Sequence, residues 1–230
     1  YEGLVFGRLD LGSEDSTAAE REVRHIGRLG VRDDDYEPLV VDWRAPAAAA
    51  FYRATPVDPM GVVRRRVLRC RGAQVVGVED DLMVPEAPDD IVVVGDGALM
   101  AALTRSRGRQ MRDIVATIQR HQDEAIRAPS RGVTEITGGP GTGKTVVALH
   151  RTAYLLYADP RLGHRRGGVL FVGPHQPYLA YVGDVLPSLG EEGVQTCTLR
   201  DLVPQQAVAD EDERVAALKA DLRMVAAIEP

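Results

Sequence analysis

A chain of 230 residues, 44% of them hydrophobic, is long enough to bury a core as one large domain or two small ones. Its formal net charge of −6 excludes a surface that is basic throughout, as a protein that coats nucleic acid would have. The longest apolar runs are far shorter than the roughly 20 residues of a membrane-spanning helix, so we expect no membrane partner.

The cysteines and the first residues favour a cytoplasmic protein. Cys70 and Cys197 form no CxxC pair, so the sequence predicts neither a zinc site nor a disulfide framework. The residues after Tyr1 lack the basic start, apolar middle and small-residue cleavage site of a secretory signal. Because the chain does not begin with Met, we expect further sequence before Tyr1 in the natural protein.

Residues 4 to 84 alternate short apolar or β-branched runs with turn residues, which is the pattern of short strands. Arg71-Gly72-Ala73, between the last two runs, predicts a hairpin turn. We therefore expect a small antiparallel sheet or partial barrel, which forms a β-rich N-terminal domain over residues 1–95. The candidate strands are residues 4–6, 23–26, 39–41, 62–68 and 74–78.

A loop rich in proline and acid at residues 85–90 ends this pattern, and helical spacing begins near Gly97. Apolar residues at 111, 114, 115 and 118 predict a helix over 111–118 that reaches toward Gln122. A strand at 133–137, a helix from 145 to 157 and a strand at 168–173 are predicted next. Strand, helix and strand in succession form a βαβ unit, so residues 96–207 are expected to form a parallel sheet with helices, the α/β fold of a P-loop NTPase.

The last segment, residues 208–230, is predicted to contain one amphipathic helix over 210–228. Its apolar face follows helical spacing at Val215, Leu218, Leu222 and Val225. This face packs against the preceding domain or begins a further structural element.

Residues Gly138 to Thr145 fit the pattern G-x-x-x-x-G-K-[ST] between a predicted strand and a predicted helix, which is the context that this motif requires. Glycines let successive backbone N–H groups converge on phosphate oxygens, and the helix N-terminus adds roughly half a positive charge. Lys144, the candidate catalytic residue, supplies a full charge for the β- and γ-phosphates, and the Thr145 hydroxyl is placed to bind Mg²⁺. The predicted phosphate site comprises Gly138, Gly139, Pro140, Gly141, Thr142, Gly143, Lys144 and Thr145.

Efficient hydrolysis requires more than this loop. An acidic residue after a second strand must hold the metal and orient water, and a cationic finger must neutralise the transition state. Apolar runs that end in acid occur upstream of the loop, at Asp42 and at residues 79–81, where hairpin ends explain them better. No such run follows Phe171. We expect the chain to bind nucleotide and to release phosphate no faster than roughly 1 s⁻¹.

Two segments resemble the UvrD-like superfamily 1 helicases. Residues 118–126 resemble their Q motif, with Gln122 in the adenine-binding position 22 residues before Lys144. A side-chain amide offers a donor and an acceptor together, which matches the N6 and N7 edge of adenine. Residues 144–156 resemble the first motif, although Val146 stands where many of these enzymes carry arginine. The resemblance implies a RecA-like fold with ATP and Mg²⁺ as cofactors.

Several stretches along nearly the full length carry a more specific resemblance. They are residues 6–10, 26–28, 38–46, 51–55, 111–119 and 185–190, of which Val41-Asp42-Trp43-Arg44-Ala45-Pro46 is the most distinctive. These stretches resemble the HelD family. The resemblance implies a motor that uses ATP to remove RNA polymerase from stalled or nucleic-acid-bound states.

Members of that family reach the polymerase with an N-terminal coiled-coil arm and with an arm inserted in the first motor domain. Neither arm is expected within this sequence, and the helix at 210–228 resembles the start of the inserted arm. The acidic metal-binding motif, the arginine finger and the second motor domain are likewise expected outside it.

Two alternatives remain open. A superfamily 1 translocase would contact single-stranded DNA at residues 172–175 and 196–199, which lack the stacking aromatics of that role, so weak nucleic-acid binding is expected. A nucleotide-gated interaction module would bind a partner through residues 1–95 without nucleotide.

Overall fold

The N-terminal half of the computed structural model is a six-stranded sheet. Residues 3–12, 21–85, 88, 91–94, 115–162, 168–191, 194–203 and 212–228 of the chain are described. The strand order is β3-β4-β2-β1-β5-β6, and every neighbouring pair is antiparallel except β2 with β4. The predicted antiparallel sheet is therefore confirmed. Its strands are β1 (Val5–Leu11), β2 (Glu22–Gly27), β3 (Val31–Arg32), β4 (Pro38–Asp42), β5 (Val62–Arg71) and β6 (Gln74–Leu82).

The hairpin between β5 and β6 also forms as predicted, with Arg71 opposite Gln74 across the turn. Three consecutive arginines on β5 form ion pairs with carboxylates of the same sheet. Arg66 Nε donates to Asp80 Oδ1 at 2.6 Å, Arg65 donates to Asp81 Oδ2 at 2.7 Å, and Arg64 Nε donates to Asp10 Oδ2 at 2.7 Å. This arginine run is thus neutralised by cross-strand partners.

A short helical segment follows β4 and closes one face of the sheet. A 3₁₀ turn at Pro46–Ala48 leads into helix α1 (Ala49–Arg53). Phe51 and Tyr52 of α1 are buried, and the Phe51 ring meets Phe6 of β1 edge-to-face with centroids 5.7 Å apart. Trp43, immediately after β4, is fully buried.

The second half consists mainly of helices with one small sheet. The described part of this half begins with a 3₁₀ turn at Val115–Thr117. Among its described residues only β7 and β8 form a ladder, and they pair in parallel. The helix and strand predicted around residues 145–173 are confirmed in position. The elements are α2 (Arg120–Ile126), α3 (Lys144–Ala158), β7 (Leu170–Gly173), α4 (Gln176–Val182), α5 (Val185–Ser188), β8 (Gln195–Thr198), α6 (Glu213–Lys219) and α7 (Arg223–Ile228).

The predicted strand at residues 133–137 is wrong. These residues adopt no regular secondary structure, and Val133 is 98% exposed. A strand requires a hydrogen-bonded neighbour, and β7 pairs with β8 while no described strand pairs with residues 133–137. The parallel sheet of a P-loop NTPase is therefore not seen beyond the two-strand ladder in the part of the chain that the structure describes.

Two predicted helices also differ from the structure. Of the helix at 111–118, residues 111–114 lie outside the described residues, and the remainder is a 3₁₀ turn that ends before Gln119, whose ψ of 158° is extended. Of the helix at 210–228, residues 210–211 lie outside the described residues, and the rest forms two helices, because the Asp221 carboxylate accepts from Arg223 N at 2.9 Å and so caps a new start. Its apolar face is largely exposed, with Leu222 at 85%.

The buried apolar residues of both halves form one continuous cluster. It joins the inner face of the sheet, Trp43 and α1 to the buried side of α3 and to the α4 and α5 region. No helix among the described residues has the length and apolar character needed to cross a bilayer.

Candidate nucleotide-binding site

The glycine-rich loop enters α3 through backbone geometry that suits glycine. Gly143, the residue before α3, has φ +88°, a left-handed conformation that residues with a Cβ adopt at a cost. At Gly138 a Cβ would lie 2.7 Å from Thr142 Oγ1, too close for any side chain. The loop can therefore hold its backbone close to a ligand because these positions carry no side chains.

The Lys144 ammonium lies over the loop. Its Nζ donates to Gly138 O at 2.8 Å and to Gly139 O at 2.7 Å. Thr142 Oγ1 also donates to Gly139 O, at 2.9 Å. An ammonium group has three donors, so one remains beyond these two bonds. The charge of Lys144 is thus concentrated at the mouth of the loop, beside the N-terminus of α3.

The Thr145 hydroxyl lies against helix α4. Tyr178 Oη donates to Thr145 Oγ1 at 3.2 Å. Tyr178 is held in turn by its ring, which stacks parallel to Phe171 at 6.5 Å, and by its backbone N–H, which donates to His175 Nδ1 at 3.1 Å. A hydroxyl oxygen has two lone pairs, so Thr145 Oγ1 retains one that suits a hard cation such as Mg²⁺.

Gln122 projects toward the same loop from α2. Its Oε1 accepts from Gln119 N at 3.0 Å, which fixes the orientation of the amide. Its Nε2 lies 3.1 Å from the position that a Cβ on Gly143 would occupy. The amide therefore lies beside the last glycine of the loop although the two residues are 21 positions apart in sequence.

A cavity of about 430 Å³ joins Gln122 to the loop, within the size range of small-ligand sites. It brings together Gln122, Gly138, Thr142 and Lys144. Gly139, Pro140 and Gly141 are exposed in the adjoining loop, and Thr145 faces Tyr178. The cavity is lined by His121, Gln122, Ala125, Glu135, Ile136, Thr137, Gly138, Thr142, Lys144 and Val147.

Arg151 of α3 fixes the far end of α2. Its guanidinium donates to Ala125 O at 3.1 Å, Ile126 O at 3.2 Å and Ala128 O at 2.6 Å. These carbonyls lie at the C-terminus of α2, where helices have unpaired acceptors and favour positive charge. Burial lowers the pKa of the Arg151 guanidinium from its very high ordinary value. Helix α3 is thus hydrogen-bonded directly to the end of α2, a contact that sequence patterns do not indicate.

A buried carboxylate on α2 connects this site to the N-terminal half. Asp123 is fully buried, and it accepts from Arg53 Nε at 2.6 Å and from Arg127 Nε at 2.7 Å. Arg127 also donates to Trp43 O at 2.6 Å and to Arg44 O at 2.9 Å. The sequence spacing of Asp123 and Arg127 could have indicated an i,i+4 pair, whereas the Arg53 contact spans 70 residues.

The distinctive segment at residues 41–46 packs on α3. The Trp43 indole meets the His150 ring edge-to-face with centroids 5.7 Å apart. Arg44 donates to both carboxylate oxygens of Asp42, at 2.9 and 2.8 Å, and to Glu191, and its guanidinium lies over the Tyr157 ring. Burial lowers the pKa of Arg44, but its bonds to Asp42 and the nearby carboxylates outweigh this and raise it overall. Trp43 and Arg44 therefore pack against α3 and are not among the residues that line the cavity.

A carboxylate-rich metal centre is not seen in the described part of the chain, where no group of three or more His, Cys, Asp or Glu residues is placed to hold an ion. Asp201, which follows β8, accepts from Thr198 N and Oγ1, each at 2.8 Å, and from Gln176 at 2.9 Å. Its hydrogen bonds from Thr198 and Gln176 hold the pKa of Asp201 below its ordinary value. This carboxylate therefore caps a turn.

Comparison with known proteins identifies the first part of the chain. The family model described as DNA helicase IV HelD, N-terminal domain, matches residues 1–94. No curated protein matches the chain. The match covers the six-stranded sheet, α1 and the Trp43-Arg44 segment that supports α3. Residues 1–94 of this chain therefore match the N-terminal domain of the HelD family.

Proposed function

We propose that this chain is the ATP-binding portion of a HelD-like motor ATPase. The observation that carries the proposal is one cavity in which the glycine loop, the Lys144 ammonium and the Gln122 amide face each other. The loop and helix N-terminus suit a chain of phosphates, and the amide suits an adenine edge. The HelD N-terminal domain at residues 1–94 supports a helicase-like parent protein.

Each site residue has a defined chemical role in this proposal. The loop backbone from Gly138 to Gly143 donates N–H groups to phosphate oxygens, and Lys144 Nζ exchanges its bonds to Gly138 O and Gly139 O for bonds to phosphate. Thr145 Oγ1 contributes one ligand to Mg²⁺, which supplies charge neutralisation at the phosphates when bound. Gln122 Nε2 donates to adenine N7, and its Oε1 uses a second lone pair to accept from the N6 amino group.

The same geometry supports slow turnover. The strand β7 is followed by Pro174, His175 and Gln176, and the carboxylate after β8, Asp201, is bonded within its own turn. Glu135 lines the cavity but follows no strand, and the acid after β8 is bonded within its own turn, so we propose that the chain binds ATP and hydrolyses it poorly.

In the full-length protein we propose that ATP use drives release or recycling of stalled RNA polymerase. This step rests on the HelD assignment and on the cytoplasmic location that we infer from the sequence. A second candidate is a DNA helicase, which is favoured by the match to the N-terminal domain of DNA helicase IV HelD. The two differ in what stimulates phosphate release by the full-length protein: RNA polymerase in the first case, and single-stranded DNA alone in the second.

Nucleotide binding is tested by titrating a fluorescent ATP analogue into the wild-type chain and into Lys144→Ala. We expect the variant to bind at least 10-fold more weakly, because charge-assisted bonds to phosphate contribute roughly 1.5–3 kcal/mol each. Lys219→Ala, on the remote helix α6, is a control of equal charge change that should bind like the wild type. Equal affinity in the wild type and Lys144→Ala would remove the basis of the proposed function.

A further inference from the structure

The position of Gln122 depends on a helix that is too short to be stable on its own. Helix α2 has seven residues, and an isolated helix of two turns is unstable in water. The residue before it, Gln119, has an extended backbone, so no longer helix continues into it. The place of α2, and therefore of Gln122, must come from contacts with the rest of the molecule.

The strongest of these contacts is made by the residue next to Gln122. The Asp123 carboxylate is fully buried and accepts one bond on each oxygen, from Arg53 on one side and Arg127 on the other. A buried carboxylate without such partners costs several kcal/mol, so its location is strongly constrained. Consecutive helical residues point about 100° apart, so fixing Asp123 on one face of α2 directs Gln122 to the adjacent face.

Both arginines tie this carboxylate to the N-terminal domain. Arg53 is the last residue of α1, within the part of the chain that matches the HelD N-terminal domain. Arg127 donates to the carbonyls of Trp43 and Arg44 in the same domain, and its guanidinium lies between the Tyr52 and Tyr154 rings at 5.9 and 5.3 Å. The adjacent face of α2 faces the glycine loop, where Gln122 Nε2 lies beside Gly143.

We propose that Asp123 and Arg53 are positioning residues through which the N-terminal domain sets the place of Gln122 and thereby the preference of the site for adenine. The inference rests on the proposed function, because it concerns the base-binding side of the same cavity. It assigns to the HelD N-terminal domain a role in nucleotide selection, in addition to covering the hydrophobic face of α3. Neither residue is among those that line the cavity.

The test compares two purine nucleotides on matched variants. ATP carries an N6 amino group, whereas inosine triphosphate carries a carbonyl there and cannot donate to Gln122 Oε1. Arg53→Met removes the contact from the N-terminal domain but retains the bond between Arg127 and Asp123. Arg120→Met is the matched control, because it removes an exposed ion pair to Glu124 on the same helix.

Dissociation constants for both nucleotides are measured by isothermal titration calorimetry on the full chain. We expect the wild type and Arg120→Met to prefer ATP over inosine triphosphate by about 2- to 10-fold, the ratio that one hydrogen bond supplies. In Arg53→Met we expect the preference to fall toward 1, because ATP loses its bonds to Gln122 at both N7 and N6, whereas inosine triphosphate loses only the bond at N7. If this variant does not fold, Arg53→Lys retains the charge without a donor at the Nε position, and a smaller loss of preference is expected.

The outcomes separate this inference from the proposed function. If the wild type binds neither nucleotide, the proposed function fails and this inference fails with it. If the wild type prefers ATP and Arg53→Met retains the same ratio, the positioning role is overturned while ATP binding stands. If Arg53→Met weakens the binding of both nucleotides equally, Arg53 only stabilises the structure, and the positioning role is likewise overturned. A wild type that binds both nucleotides with equal affinity would also overturn it.

Discussion

A substitution of Gly143 by alanine tests the loop geometry on which the candidate site depends. Gly143 adopts φ +88° immediately before α3, and a residue with a Cβ in this left-handed region costs about 1–2 kcal/mol. The added Cβ would also lie 3.1 Å from Gln122 Nε2. The amide is the end of a long side chain and can move, so the second contact costs little stability but displaces the group proposed to bind adenine.

We therefore expect Gly143→Ala to lower the free energy of unfolding by about 1–2 kcal/mol, which corresponds to a fall in Tm of roughly 2–8 °C for a chain of this size. Urea or thermal unfolding followed by circular dichroism measures this change. The variant should also bind ATP more weakly, because α3 and Gln122 are displaced together. The stability measurement stands whether or not the nucleotide proposal is correct.

The same loop supplies the matched control. At Gly139 a Cβ would meet only Thr142 Cγ2, at 3.9 Å, and the backbone is not in the left-handed region. Gly139→Ala is expected to leave stability unchanged or to raise it by up to about 1 kcal/mol, since alanine reduces the entropy of the unfolded chain. Unfolding free energies of the two variants that agree within about 0.3 kcal/mol would refute this account of the loop, because the difference between them follows from backbone conformation alone.

Two further predictions follow from single contacts. Tyr178→Phe removes the 3.2 Å bond to Thr145 Oγ1. We expect its affinity for ATP to fall about 2- to 10-fold in the presence of Mg²⁺ and to be unchanged in EDTA. Calorimetric titrations that show equal effects under both conditions would contradict this prediction. Burial raises the pKa of Asp80, but bonds from Arg66 and Val94 N–H outweigh this and lower it overall. The unfolded chain thus binds this proton at higher pH, so the stabilisation is present above about pH 4 and is lost as pH falls through the folded-state pKa. Urea unfolding below pH 5 should show a weaker acid dependence for Asp80→Asn than for the wild type, and identical slopes would exclude this role.

Local sequence signals predict much of the fold. The five strand candidates before residue 84 all become strands, because alternation and turn residues act over a few neighbours. The hairpin at Gly72 and helix α3 follow from equally local patterns. The spacing of Gln122 from Lys144 also indicated a residue near the loop, and in the structure the Gln122 amide lies beside Gly143.

The errors lie where structure depends on distant partners or on single caps. Residues 133–137 have the composition of a strand but form no ladder, since pairing is decided by a neighbour that periodicity does not reveal. Helix α2 starts anew after residues 111–118, where Gln122 Oε1 accepts from Gln119 N, and α7 starts anew where Asp221 accepts from Arg223 N. The contacts of Asp123 with Arg53 and of Arg151 with the end of α2 were missed for a similar reason, because they join segments that lie far apart in sequence.

The shared interior of the two halves has a practical consequence for expression. The hydrophobic cluster passes from the sheet through Trp43 into α3, so a polypeptide that ended near residue 95 would present the Trp43 and Tyr52 surface to water. Apolar surface of that kind promotes self-association. Fragments divided at this boundary are best co-expressed, since each half supplies the solvent shielding that keeps the other soluble.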